Sequence, residues 1–146
     1  MGANNKNNFK PQQKSSLKRY KGKNVSPFSG AVQMGQYAAR LLRNMAFQNF
    51  DLEKDGIMFQ NRDFLIAAYR EAENKVVEQQ IYVNGLSYAY ACSTDANVIR
   101  MINKHKRALD GWNMVYNTIG SILQTGDLGL LAGMMNRLPD YRHVLY

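Results

Sequence analysis

The sequence predicts an all-α fold: a bundle-like domain of three or four helices behind a basic N-terminal arm. Three observations carry this. Apolar residues recur at steps of three and four in several long stretches. Cap and turn signals punctuate those stretches. No segment alternates apolar and polar residues long enough to read as a strand. With 146 residues, 45% of them hydrophobic, the chain can bury one core. The division expected is an arm over residues 1–25 and a helical domain over 26–146.

The first helix is predicted over about 30–49. "SPFSG", with Pro27 and Ser29, can open it. Met34, Ala38, Leu41 and Met45 then fall at steps of four, three and four, widened by Leu42, Ala46 and Phe50. Gly35 and Ala39 allow a close neighbour. "DLEKDG" breaks the pattern. A second helix is predicted over about 62–84, with Leu65, Ala68, Ala72, Val76 and Val83 on one side and Glu71–Lys75 as an i,i+4 ion pair. Gln79 and Gln80 interrupt its apolar pattern. Gly85 either ends this helix or lets it continue through "LSYAYAC".

"STDAN" is a cap signal, because Ser93, Thr94 and Asp95 can all accept from free backbone N–H groups. The third helix, about 95–123, has the longest periodicity in the chain. Val98, Ile102, His105, Leu109, Trp112, Tyr116, Ile119 and Leu123 form an unbroken seam. A seam of this length implies shallow packing on another long helix, within a bundle or across a subunit contact. Gly111 reads as lying opposite the seam. "LGLLAGMMNRL" predicts a short apolar helix, about 128–137, ended by Pro139; "DYRHVLY" reads as extended or loosely helical.

The charge is uneven. Lys6, Lys10, Lys14, Lys18, Arg19, Lys21 and Lys23 put +7 into the first 24 residues, with no acidic residue among them. The remaining twelve Lys or Arg and eleven Asp or Glu leave +1. Phe9, Leu17 and Tyr20 are nearly the arm's only apolar side chains, too few to offset the entropy of ordering it. The arm is therefore expected to be disordered or extended when free. Such a segment suits polyanions, because each cation that neutralises a phosphate releases counterions. The arm lacks the apolar core of a secretory signal, so export through a cleaved signal peptide is not expected. Its six Lys against one Arg, with many Asn and Gln, also fit a mitochondrial targeting segment poorly. No apolar run is long enough for a membrane span.

Few constellations carry chemistry. "DLEKDGIMFQNR" has the spacing of a calcium loop, with Asp51, Glu53, Asp55 and Gly56 at positions one, three, five and six. Position twelve, where a bidentate Glu belongs, is Arg62. The alternative is an acidic connection in which Gly56 makes a left-handed turn. His105 on the seam reads as a buried histidine with one hydrogen-bond partner. Cys92, the lone cysteine, reads as a small buried thiol. His105, His143 and Cys92 show no metal-ligand spacing. Arg100, Lys104 and Arg107 form a second cationic stripe that could touch phosphates. No phosphate-binding glycine loop, nucleophile elbow or metal-binding His pair occurs, so neither an enzyme nor a cofactor is expected.

The function expected is a non-enzymatic structural component of a nucleoprotein assembly, a virion or a ribonucleoprotein, inside a cell or within the particle. The arm would contact nucleic acid without reading sequence, and the helical body would pack on protein neighbours or on further copies of itself. The alternatives are a free DNA- or RNA-binding accessory factor and a degenerate calcium module.

Overall fold

A computed structural model describes residues 27–145. Among them every regular element is helical: α1 (Pro27–Ala46), α2 (Arg62–Ser93), α3 (Ala96–Thr125) and α4 (Leu130–Arg137), with short 3-10 turns at Gly56–Gln60 and Leu138–Tyr141. The fold is all-α. The basic arm lies outside the described residues.

The frame is a long antiparallel hairpin of α2 and α3. Its turn is short because the sequence supplies both caps. Thr94 adopts a left-handed conformation (φ 50°) and returns its N–H to the Tyr90 carbonyl. Asp95 then caps α3 by accepting from the Asn97 N–H at 2.9 Å. At the other end Gly126 (φ 75°) closes α3, where an L side chain would be strained. α2 starts on Asn61, whose side chain accepts from the Phe64 N–H at 3.1 Å. It does not end at Gly85 but continues two turns further, to Ser93.

The seam of α3 meets α2. Tyr116 stacks on Tyr69, ring centroids 4.6 Å apart, and their hydroxyls are 2.9 Å apart. That hydrogen bond first, then burial and nearby negative charge, hold the Tyr116 phenol above its ordinary pKa. Gly120 makes room for the stack: an added Cβ would sit 3.0 Å from the Tyr69 ring. On α2, Leu65, Ala68, Ala72 and Val83 are buried and Val76 is half-buried. The expected Glu71–Lys75 pair gives way to Lys75–Glu78 at 3.8 Å.

α3 has a second buried face, formed by Ala108, Gly111, Val115 and Ile122. Gly111 lies away from the seam, and that side of α3 is itself buried. A Cβ there would lie 3.0 Å from the Tyr141 ring and 3.1 Å from Leu145. The C-terminal segment folds back over this face, and Leu138 and Leu145 are buried. Two of its four residues, Ala108 and Gly111, are small, so this part of the face leaves little trace in the apolar periodicity. α1 runs antiparallel to α2, with Gly35 beside Ala67 and Glu71 and Tyr37 edge-on to Phe64 at 5.9 Å. Ala38, Leu41, Leu42 and Met45 complete the core with Phe59, Phe64, Trp112, Ile119, Leu131 and Met134.

The loop after α1 turns at Gln48 (φ 60°), whereas Gly56 has no left-handed backbone. Gly56 is instead closely packed: an added Cβ would meet Leu52 Cδ1 at 3.2 Å.

Two alanine substitutions test this packing by their opposite signs. Gly111→Ala forces the Tyr141–Leu145 lid to move and is expected to cost about 1–3 kcal/mol, despite alanine's better helix propensity. Gly85→Ala fills empty space on an exposed helix and is expected to stabilise by up to about 1 kcal/mol. Urea denaturation of dilute protein reads both.

Candidate nucleic-acid interface

Of the ten cations assigned to nucleic acid, Lys6, Lys10, Lys14, Lys18, Arg19, Lys21 and Lys23 lie outside the described residues. The other three are on α3, and the helix spaces Arg100 and Arg107 about 10 Å apart along its axis. All three are exposed. They do not form one uniform stripe. Arg100 donates from Nη2 to the Asn97 side-chain oxygen one turn earlier. The Arg107 guanidinium lies 4.2 Å over the Tyr141 ring and donates to the Asp140 carbonyl at 3.2 Å. Arg107 therefore helps hold the C-terminal turn on α3. Below it the side of the helix opposite the seam is covered by Tyr141 and Leu145 rather than by solvent. Arg100 and Lys104 lie nearer the hairpin turn, outside that cover.

His105 has its one partner. Nδ1 lies 2.6 Å from Gln79 Oε1, and Tyr82 stacks on the imidazole with centroids 4.6 Å apart. This explains Gln79, which breaks the apolar pattern of α2. It is the buried polar residue that satisfies the histidine across the hairpin.

The acidic loop is turned on itself. Asp51 Oδ1 accepts from the Glu53 and Lys54 N–H groups at 3.0 and 3.4 Å. Asp55 Oδ2 accepts from the Asp51 N–H at 2.9 Å. The carboxylates of positions one and five thus cap their own backbone. Among the described residues no three His, Cys, Asp or Glu side chains are grouped to hold a metal ion. Cys92 is exposed, against the expectation of a buried thiol. The reason is geometric: α2 carries it beyond the end of the core. Among the described residues no helix is long and apolar enough to cross a membrane.

Sequence reasoning missed one surface feature, the bare outer half of the hairpin. Val77, Ile81 and Tyr88 are 52%, 65% and 75% exposed. The signal was present in the sequence, because residues 79–94 contain no charged residue at all.

A double-mutant cycle tests the cross-hairpin pair. Gln79→Leu and His105→Leu are each expected to cost about 1–2 kcal/mol, and the double variant less than their sum, because each single change leaves a polar group without its partner. Thermal or urea denaturation supplies the coupling energy.

No family model, curated protein or solved structure matches this chain.

Proposed function

We propose that this protein is a non-enzymatic structural component of a nucleoprotein assembly, of the kind found in virions and ribonucleoprotein particles. The observation that carries the reading is the segregation of charge: +7 in residues 1–24 against +1 in the rest. A net-neutral packing unit with a concentrated cationic leader divides the work of assembly. The leader neutralises phosphates without reading bases, which positions a protein on a polyanion but does not specify sequence. The body supplies protein contacts. Its support is the uncharged, tyrosine-bearing outer stretch of α2, residues 79–93, the composition that protein interfaces favour over charged surface. In this reading the protein works where nucleic acid is packaged, inside a cell or within the particle.

The accessory-factor reading needs a second phosphate-binding surface on the body. Arg107's engagement with Tyr141 and Asp140 weakens it. Arg100 and Lys104 leave a smaller surface than the three-residue stripe promised.

A salt titration separates the two. Binding of the full chain to duplex DNA or RNA should fall steeply with salt. If all seven arm cations engage, the log–log slope approaches about −6 for duplex DNA. A chain beginning at Val25 should lose most of the affinity and nearly all of the slope. Arg100→Ala with Lys104→Ala in the full chain should change the slope by no more than about 2. Equal slopes with and without the arm would contradict the proposal.

A further inference from the structure

α2 is 32 residues long and α3 is 30, whereas α1 is 20 and α4 is 8. The shorter elements cover only the base of the hairpin. Beyond it, α2 exposes a seam that faces away from α3. Asn74, Val77, Ile81, Asn84, Tyr88 and Ala91 recur at steps of three, four, three, four and three, the spacing with which one helix packs along another. All six are exposed. Gly85 lies beside the seam, and nothing stands within 4 Å of where its Cβ would be. The two other glycines of the hairpin, Gly111 and Gly120, each admit a packed ring. Among the described residues Gly85 has no such role, although glycine in a helix interior is destabilising.

We propose that this seam is a contact with a second copy of the same chain, α2 lying antiparallel on α2 about a two-fold axis beside Asn84 and Gly85. This deepens the assembly reading by naming the neighbour, and it rests on that reading for its purpose but not for its geometry.

Charge argues for self-pairing. A two-fold contact sets a surface against itself, so any concentrated charge would meet its like. The chain carries +8, yet residues 79–94 carry none. An axis beside Asn84 and Gly85 sets Ile81 against Tyr88 and Val77 against Cys92 of the second copy. Glu78 falls beside Ala91 and Lys75 beside Thr94, so no like charges meet. The same absence of carboxylates argues against the basic arm as the occupant. Gly85 acquires a reason at the axis, where a missing side chain lets the two backbones close.

Area argues that the contact is adequate but modest. From Asn74 to Ser93 the helix runs about 30 Å. A strip of that length and about one helix wide buries on the order of 1,000 Å² over both partners, near the lower edge of specific interfaces. The dimer should therefore be reversible, in about the micromolar range.

The test is sedimentation of the full chain without nucleic acid, over a wide concentration range and in about 0.3 M salt to screen the arms from each other. A monomer–dimer equilibrium is expected. Ile81→Asp should weaken it at least about tenfold, with helical circular dichroism unchanged because the side chain is exposed. Ile99→Asp, at an exposed position on α3, should leave it intact. Val77→Cys should form a disulfide-linked dimer with Cys92 of the second copy under mild oxidation, and the natural chain should not. A chain that stays monomeric throughout overturns the proposal. So does a dimer that Ile99→Asp breaks and Ile81→Asp spares, or one that cross-links as well without the new cysteine. Nucleic-acid binding measured on the same samples keeps the two claims separate. A monomer that binds DNA through its arm removes the dimer alone, and a dimer that ignores DNA removes the arm's role alone.

Discussion

The fold depends on a mismatch of length. α2 and α3 are about 48 and 45 Å long, while α1 spans only about 30 Å. Where α1, α4 and the C-terminal turns cover the hairpin, the structure is an ordinary apolar core around Trp112, Phe59, Phe64 and Leu42. Where they stop, the two long helices have only each other among the described residues. There the outer half is held by the α2–α3 contact: Val83 and Ile102 buried, Gln79 on His105, and Tyr82 stacked on the imidazole. Cys92, Gly85, Ile81 and Tyr88 are exposed because no third helix among the described residues reaches them.

The covered half is more tightly specified. Four glycines mark close approaches: Gly35 to Glu71, Gly56 to Leu52, Gly111 to Tyr141 and Gly120 to Tyr69. At Gly111 and Gly120 an added Cβ would stand 3.0 Å from a tyrosine ring, so these two fix how closely the rings approach α3. The C-terminal segment is fixed by three kinds of contact at once. Leu145 is buried, Tyr141 lies on Gly111, and Arg107 stacks on that tyrosine while donating to the Asp140 carbonyl. A cation that looks from sequence like a phosphate contact is thereby part of the fold.

Much of this was legible in the chain. The eight-residue seam of α3 finds α2, and "STDAN" makes the hairpin turn, because helical period and capping are local properties of sequence. His105 on that seam points to a polar partner, and Gln79 is it, although the sequence shows Gln79 only as a break in the pattern. The second face of α3 was not legible. Ala108 and Gly111 carry too little side chain to register as apolar periodicity, and their burial is decided by Tyr141, some 30 residues later. The fate of Cys92 was hidden for a related reason. Whether α2 outruns the core depends on how long the covering helices are, not on the residues around the cysteine. The arm's charge is visible in the sequence alone, and its separation from a net-neutral body is what gives the functional proposal its form.

That separation predicts where nucleic acid acts on the chain. Hydrogen exchange of the full protein, with and without added nucleic acid, tests it directly. The account predicts that nucleic acid slows exchange within residues 1–24 and leaves the outer turns of α2 and α3 unchanged. Slowing centred on α3 around Arg100 and Arg107, with the first 24 residues unaffected, would contradict it.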